Sequence, residues 1–230
     1  MKLISVNVSL EKTVSYNNKS FHTGIFKNPV NGRVLLRKEN LEGDKQADLS
    51  NHGGLDKAVY AYPFEHYEYW RDILGIDRLP YGTFGENFTV SGLLEQDVYI
   101  GDIINVGETG LQVTQGRVPC SKLAIRVDRP NLPKLFVESL RCGFYLRVLE
   151  TGMVGAGDKI NLRKYDGRRI SIKDAFEVLL VTKNDHRIIH DILELSELGE
   201  DWRFAYTRLR NSRRFSHSIT EKIKRLLNRL

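Results

Sequence analysis

The segment with the clearest capacity for chemistry ends at Cys120. A strand-like run at 111–115 leads into the sequence Gly-Arg-Val-Pro-Cys. Proline interrupts strand pairing, so we expect the thiol to be accessible at this break. Arg117, Lys122 and Arg126 lie close by in the sequence, and neighbouring cations favour the thiolate, which is both a nucleophile and a soft metal ligand. From the residues alone, a reactive thiolate at Cys120 and a small, buried, hydrophobic cysteine side chain are equally supported interpretations.

A glycine pair upstream offers a second place for chemistry. His52, Gly53 and Gly54 are followed by Lys57, just before a strand-like run. Paired glycines let backbone N–H groups approach an anion closely, and the lysine adds a compact positive charge. The spacing fits neither a Walker A loop nor a dinucleotide-binding fingerprint. The plain alternative is a turn with a surface lysine.

A further glycine-rich turn at 81–87 also leads into a strand-like run. Asn87 at its end carries both donor and acceptor atoms. Glu86 could serve as a base, but a single glutamate in a turn is more often solvated. An ordinary turn is again the alternative for this segment.

The other cysteine and the histidines give weaker signals. Cys142 opens a run of large apolar residues, which favours packing in the core. His186 and His190 have the spacing of one helix face, but lack the glutamate of a metalloprotease helix, so we expect solvated side chains. The two cysteines lack CxxC spacing, and a reducing cytosol disfavours a disulfide between them.

Short apolar runs punctuated by glycine must position these segments. The runs predict strands, and a Gly-Asp turn before a strand occurs twice, at Gly101 and at Gly157. Many short strands with glycine turns are typical of a barrel or a sandwich. Helices are predicted to begin after Pro63 and near Asn131. The runs themselves lie at 34–36, 58–62, 88–90, 98–100, 111–114 and 144–148.

Beyond about residue 167 the pattern becomes helical. Ser171 and Asp185 are predicted to cap two helices, a third runs from about 199 to 210, and a fourth begins at Ser218. The sequence therefore predicts two domains, at 1–165 and 166–230. The second is too small to be robust alone, so we expect it to dock on the first.

The bulk composition bounds the class of protein. The chain has 230 residues, of which 41% are hydrophobic and 28% charged, as in a soluble globular protein. No run approaches the roughly 20 apolar residues of a membrane span, and the first residues are too few and too polar for a signal peptide. We expect a cytoplasmic protein without membrane association.

The net charge of +6 is concentrated near the C-terminus. Such a surface could meet nucleic acid, a membrane or an acidic protein. Nucleic-acid binding is disfavoured because the basic residues are not interleaved with aromatic ones and no nucleic-acid recognition motif is present. Between 203 and 230 the acid is Glu221, against nine basic residues at 203, 208, 210, 213, 214, 222, 224, 225 and 229.

Together these segments resemble the MOSC family, the molybdenum-cofactor sulfurase C-terminal domains. The combination is specific although each part alone is weak, and the resemblance covers essentially the whole chain, including a small helical domain at the end. It implies a mainly β fold with α-helices: a closed mixed MOSC-type β-barrel with peripheral helices, followed by a small C-terminal helical bundle. The segments that carry it are His52-Gly53-Gly54, Lys57-Ala58-Val59-Tyr60, Phe84-Gly85-Glu86-Asn87, Gly101-Asp102 and Thr114-Gln115-x-Arg117-x-Pro119-Cys120-x-x-Leu123.

The resemblance also implies roles for individual residues. The family's cysteine, which binds the molybdenum of the pterin cofactor, falls on Cys120, so this residue is the expected metal ligand and catalytic position. A pterin phosphate needs cationic or amide donors, for which Lys57 and Arg117 are the best-placed residues. The remaining expected cofactor-binding residues are Thr114, Asn87, His52, Gly53 and Gly54.

Enzymatic relatives reduce N-hydroxylated compounds, such as hydroxylaminopurines, to amines. The resemblance therefore implies a molybdenum-cofactor-dependent reductase of a small N-hydroxylated substrate. The chain carries no flavin or iron–sulfur motif, so an electron-donor reductase protein is an expected partner, and the basic end would suit an acidic one. The alternative is a non-enzymatic carrier of the cofactor or a sulfur-transfer module, in which Cys120 is the acceptor.

Overall fold

Twelve strands and six α-helices are present in the computed structural model, which describes residues 1–47, 53–182 and 185–211. Strands dominate up to residue 163 and helices follow, as the change in sequence pattern predicted. The strands are β1 Lys2–Val8, β2 Lys12–Tyr16, β3 Lys19–Thr23, β4 Asn28–Pro29, β5 Arg33–Leu36, β6 Val59–Pro63, β7 Phe88–Ser91, β8 Ile103–Val106, β9 Thr109–Gly116, β10 Phe144–Glu150, β11 Gly152–Gly155 and β12 Ile160–Arg163.

The helices divide into two groups of three. The first group lies between strands of the sheet: α1 His66–Leu74, α2 Ser121–Val127 and α3 Leu132–Ser139. The second group follows the last strand: α4 Ile172–Leu180, α5 His186–Leu193 and α6 Glu200–Asn211. None of the helices in the described ranges has the length and apolarity needed to cross a bilayer.

Eight strands form one sheet in the order β12-β8-β9-β10-β6-β7-β1-β4. All neighbouring strands in it are antiparallel except β6 and β7. A parallel pair needs a crossover connection, and α1 lies in that connection, between β6 and β7. Two smaller sheets pair β5 with β11 and β2 with β3.

The described strands do not close into the expected barrel. The outer edge of β1 is shared between two partners, which limits how far it can pair with β12. Its end pairs with β4, through Asn7 and Pro29. Its start meets residues 157–160 at one isolated bridge, Lys2–Lys159, with hydrogen bonds from Leu3 N to Asp158 O at 3.0 Å, from Gly157 N to Leu3 O at 2.8 Å and from Ile160 N to Met1 O at 3.1 Å. A short contact therefore replaces the closing ladder, and the main sheet is an open, mostly antiparallel one.

The C-terminal helices begin where the sequence predicted. The Ser171 hydroxyl accepts a hydrogen bond from Asp174 N at 3.0 Å, and Asp185 accepts from the N–H groups of Arg187 and Ile188. Both side chains satisfy donors that a helix start leaves without partners. The predicted fourth helix, from Ser218, lies outside the described residues.

The apolar core continues from the sheet into the C-terminal helices. One cluster contains Leu3 of β1, Phe144 of β10 and Trp202 and Tyr206 of α6. The predicted boundary at 165/166 stays a prediction, but the side chains on either side of it pack together.

A second, largely aromatic cluster lies behind the segment 82–87. The rings of Trp70 in α1 and Phe136 in α3 stack with centroids 4.6 Å apart, and Phe84 packs 5.4 Å from Phe136. The turn that carries Asn87 is therefore supported from below by two helices.

Candidate functional site

One pocket brings together chain segments that are far apart in sequence. Its walls come from 23–27, 45–47, the 3-10 turn Leu55–Lys57, β6, the turn 85–87, the segment 117–122 and β10. The residues that line it are Thr23, Gly24, Ile25, Lys27, Lys45, Gln46, Ala47, Lys57, Tyr60, Gly85, Asn87, Arg117, Cys120, Lys122 and Tyr145.

The pocket is strongly cationic. Its lining includes Lys27, Lys45, Lys57, Arg117 and Lys122, and none of the described lining residues is an aspartate or a glutamate. Like charges gathered in a concave, partly desolvated surface raise the local concentration of oppositely charged ligands. The pocket is therefore built for an anion.

Cys120 lies in the pocket wall, immediately before α2. Its backbone is extended (φ −120°, ψ 171°), and its carbonyl accepts a hydrogen bond from Leu123 N at 3.0 Å. The residue is only 3% exposed, so the expectation of an openly accessible thiol is wrong. Because residues of 23–27 and Lys57 line the same pocket, Cys120 faces a positively charged pocket and has little direct contact with bulk solvent.

Cys142 behaves as predicted for a core cysteine. It is fully buried, and neither described cysteine forms a disulfide. Burial raises the pKa of the Cys142 thiol well above its ordinary value. Cys142 therefore stays a neutral, packed side chain.

Arg117 is buried and held in one orientation. Its Nη1 donates a hydrogen bond to the carbonyl oxygen of Phe84, and its guanidinium lies 4.7 Å from the centre of the Tyr60 ring. Burial acts to lower the pKa of Arg117, but the neighbouring Tyr60, Tyr145 and Cys120 have a larger, opposite effect. The pKa of Arg117 is therefore raised above its ordinary value. The guanidinium stays charged, with further N–H groups for a pocket ligand.

Two tyrosines form the aromatic part of the wall. Their rings, on β6 and β10, have centroids 5.2 Å apart, and the Tyr60 hydroxyl donates to Cys142 O at 2.9 Å. Burial raises the pKa of Tyr60 well above its ordinary value. Burial likewise raises the pKa of Tyr145 to about 12, although Arg117 opposes the shift. Both phenols are neutral near pH 7 and present flat surfaces beside the cations.

Lys57 reaches the pocket from the 3-10 turn, and it is 6% exposed. Its ammonium contacts the carboxylate of Asp201 in α6. The pocket thus receives an acidic neighbour from the C-terminal helices, a contact that the sequence did not predict.

Thr114 supports this turn but does not line the pocket. Its hydroxyl is buried and lies 2.7 Å from the carbonyl oxygen of Asp56, to which it donates. The Asp56 carboxylate in turn accepts from Arg147 Nε at 2.7 Å and from Glu200 N at 2.9 Å. Thr114 therefore supports the turn that carries Lys57. Its expected contact with the cofactor stays a prediction.

Asn87 lies on the pocket, where its amide also joins structural bonds. Its Oδ1 accepts from Tyr60 N at 3.1 Å, and its Nδ2 donates to Asp44 Oδ2 at 2.9 Å. Gly53 is buried and Gly54 has φ +96°, and neither lines the pocket. His52 lies outside the described residues.

Sequence reasoning missed a buried ion pair beside Cys120. Lys27 Nζ lies 2.5 Å from Asp44 Oδ1, and both residues are nearly inaccessible to solvent. Burial lowers the pKa of Lys27, and Asp44 opposes that shift. Because these residues lie in loops with no periodic pattern, nothing local distinguishes Lys27 from a surface lysine.

Glu86 corrects another expectation, since it is fully buried rather than solvated. Its carboxylate accepts from Gly82 N at 2.8 Å, from Phe84 N at 3.0 Å and from the hydroxyls of Tyr67 and Thr89. Burial raises the pKa of Glu86, against the effect of these donors. The residue braces the turn whose Phe84 carbonyl holds Arg117.

Known proteins resemble this chain along most of its length. A family model described as MOSC domain matches residues 48–161. YflK of Bacillus subtilis (strain 168) is 40% identical over 204 residues, covering 89% of this chain and 92% of YflK. YiiM of Escherichia coli (strain K12) is 34% identical over 208 residues, covering 89% of this chain and 90% of YiiM.

Two further likenesses concern a solved structure and a longer protein. The crystal structure of YiiM from Geobacillus stearothermophilus has a TM-score of 0.77 at 32% identity, covering 91% of this chain and 98% of that one. A Gibberella moniliformis (strain M3125 / FGSC 7600) protein named "Reductase" is 28% identical over 212 residues, which are 89% of this chain but 38% of that protein. The matched sequence and the shared fold show that the chain belongs to the MOSC domain family.

Proposed function

We propose that this chain binds a molybdenum cofactor through Cys120 and reduces N-hydroxylated compounds to amines with electrons from a separate donor protein. One observation carries the proposal. Cys120 and Arg117 line the same pocket, whose described lining contains five cationic side chains and no carboxylate. Membership of the MOSC domain family supports it.

The donor set of the pocket fits the cofactor. A thiolate is a soft ligand of the kind that thiophilic metals prefer. Arg117 and Lys57 would hold the terminal phosphate, because charge-assisted hydrogen bonds from such groups are short and strong. The neutral rings of Tyr60 and Tyr145 provide flat walls for a planar heterocycle. When bound, the cofactor would supply the two-electron exchange that the reaction needs.

The chain's own residues would bind and orient the reactants. Arg117 is fixed by its bond to Phe84 O and by the Tyr60 ring, so its orientation requires no reorganisation on binding. Reduction of R–NHOH to R–NH2 consumes two electrons and two protons and releases water. The enclosed position of Cys120 would limit bulk water at the reacting centre.

The source of the electrons lies outside this chain in our proposal. The Gibberella protein named "Reductase" extends well beyond the match, since the aligned residues are only 38% of its length. This chain has no flavin or iron–sulfur motif. We infer a separate electron-donor protein, and an acidic one would complement the positive charge in the C-terminal part of the sequence.

The metal content of two cysteine variants tests the proposal. Protein from a cofactor-competent host is expected to carry stoichiometric molybdenum and pterin, and Cys120→Ser is expected to lose the molybdenum. Cys142→Ala is the matched control, because Cys142 is buried behind the pocket and its side chain does not line it, so the variant should keep its metal. Metal analysis and pterin fluorescence supply the readout.

Molybdenum retained at full stoichiometry in Cys120→Ser would refute the assignment of the ligand. Turnover is measured separately, with the loaded protein, hydroxylaminopurine and a low-potential chemical reductant. Cofactor binding without formation of the amine would instead favour the carrier or sulfur-transfer function.

A further inference from the structure

An acidic residue from α6 contacts a lysine that lines the cationic pocket. Asp201 contacts the Lys57 ammonium, and the side chain of Lys57 is 6% exposed whereas that of Asp201 is 49% exposed. Asp201 lies outside the stretch 48–161 that matches the family model, whereas Lys57 lies within it. The C-terminal helices thus place a negative charge on an anion-binding residue of the site.

The position of Asp201 is set by the residues around it. Gly199 N donates to Thr114 O at 3.1 Å, and Glu200 N donates to the Asp56 carboxylate at 2.9 Å. Trp202 packs against Gly116, where a Cβ atom would lie 3.0 Å from the indole. Because the start of α6 is fixed on both sides of Asp201, the backbone of this residue is held close to Lys57.

Asp44 and Asp201, which pair with two of the pocket lysines, differ in how easily they can leave. Asp44 is 4% exposed and also accepts hydrogen bonds from Ser9 N and Asn87 Nδ2, so it is a permanent partner of Lys27. Asp201 is half exposed, so a rotation of its side chain would return the carboxylate to water, and an incoming anion could then take its place beside the buried Lys57 ammonium. Of these two pairs, the second is the one suited to exchange.

We propose that Asp201 is an internal competitor for the anion site, whose carboxylate occupies Lys57 until a phosphate monoester displaces it. The inference rests on the proposed function and deepens it, since it makes the C-terminal helices part of the cofactor-phosphate site. Asp201 acts here as a positioning residue that sets the affinity of the pocket for its anion.

Inorganic phosphate binding to the metal-free full-length chain tests the proposal. Asp201→Asn is expected to bind phosphate about three- to tenfold more tightly, because a half-buried like charge next to the ligand is removed. Asp191→Asn is the matched control: it lowers the negative charge of the same helical region equally, but its partner is Arg168, which does not line the pocket. Heteronuclear NMR titrations measure both dissociation constants.

Two further variants separate competition from a change in packing. Asp201→Glu should restore an affinity near that of the unaltered chain, because it restores the charge. In a Lys57→Gln background, which should itself bind phosphate more weakly, Asp201→Asn should have no further effect, as the two changes act on one contact. The advantage of Asp201→Asn should also shrink at high salt.

Equal phosphate affinity in Asp201→Asn and the unaltered chain would overturn the inference. So would an equal gain in Asp191→Asn, or a gain that persists without Lys57. None of these outcomes bears on molybdenum binding by Cys120, so the proposed function would survive them. Repeating the titration with cofactor-loaded protein identifies the source of the phosphate: a lost response assigns Lys57 to the cofactor, and a retained response assigns it to a phosphorylated substrate.

Discussion

Single residues around the pocket show two ways of burying a charge. Lys27 is paired with Asp44 through both carboxylate oxygens, at 2.5 and 2.6 Å. Glu86 instead accepts hydrogen bonds from two backbone N–H groups and two hydroxyls. The first arrangement keeps a cation in the pocket wall. The second holds the turn 82–86, whose Phe84 carbonyl accepts a hydrogen bond from Arg117.

Replacing Glu86 by glutamine should change the stability of the chain by an amount that depends on pH. The variant should be less stable by about 2 kcal/mol, because the new NH2 group would face the Phe84 N–H donor. Burial raises the folded-state pKa of Glu86, so the folded chain binds more protons than the unfolded chain above pH 4.5. The free energy of unfolding of the wild-type chain therefore falls as the pH rises from 4.5 through the folded-state pKa of Glu86. The variant lacks this titration, so the difference in stability between the two proteins should become smaller over the same range.

Urea denaturation of both proteins between pH 4 and 7 measures this difference. A penalty that grows with pH in this range would contradict the raised pKa. Thr89→Val removes one neutral donor to the same carboxylate and serves as a control for packing changes near the turn.

At the level of elements, the contact between β9 and α6 links the helical region to the site. β9 ends at Gly116, directly before Arg117, and the Trp202 ring lies over this glycine. A hydrogen at this position, instead of a side chain, lets the helix approach closely enough for Asp201 to meet Lys57.

Gly116→Ala should push α6 away from the strand. Its Cβ would meet the indole at 3.0 Å and Cys142 Sγ at 3.1 Å, and overpacking of this kind costs about 1–3 kcal/mol. The variant should also bind phosphate more tightly than the unaltered chain, since Asp201 moves with the helix. Gly110→Ala, on the same strand, meets its nearest atoms at 3.4 Å, an ordinary contact, and should be near neutral in both measurements. Thermal unfolding and phosphate titration of the two variants provide the comparison.

Elements whose signals are local could be predicted from the sequence. The caps at Ser171 and Asp185 depend on residues two or three positions away, and both helices begin there. The helix after Pro63 likewise follows from local spacing, although it begins at His66. Partners such as Lys57 and Asp201 are 144 residues apart, so no local pattern could predict their contact.

At the scale of the whole molecule, one apolar cluster runs from β1 to α6 and crosses the predicted boundary at 165/166. We therefore expect a single cooperative unfolding transition of the sheet and the C-terminal helices. Trp202→Ala should lower the stability of the whole chain by about 3–5 kcal/mol, because its fully packed indole belongs to this cluster. Amide hydrogen exchange resolves the two regions, and independent protection of β10 and α4 would contradict a shared core.

The long-range parts of the molecule explain where sequence reasoning reached its limit. The motif segments predicted that Cys120, Arg117, Lys57 and Asn87 matter, and these four line one pocket. The described strands do not form a closed barrel: β4 pairs with the end of β1 at Asn7 and Val8, and only a short contact joins the start of β1 to the region of β12. Competition for a strand edge leaves no trace in local sequence patterns. Lys27 was missed for a different reason, because its partner Asp44 is 17 residues away in another loop.

The walls of the pocket have a consequence for exchanging parts between relatives. Cys120 and Arg117 lie within the family-matching stretch 48–161, but Lys27, Lys45 and Asp201 lie on either side of it. A chimera that imports only that stretch inherits the donor's thiol and keeps the host's surrounding charges. The charged groups at and beside this pocket thus come from three parts of the chain, and a transplant of the central part alone creates a hybrid site rather than transferring an intact one.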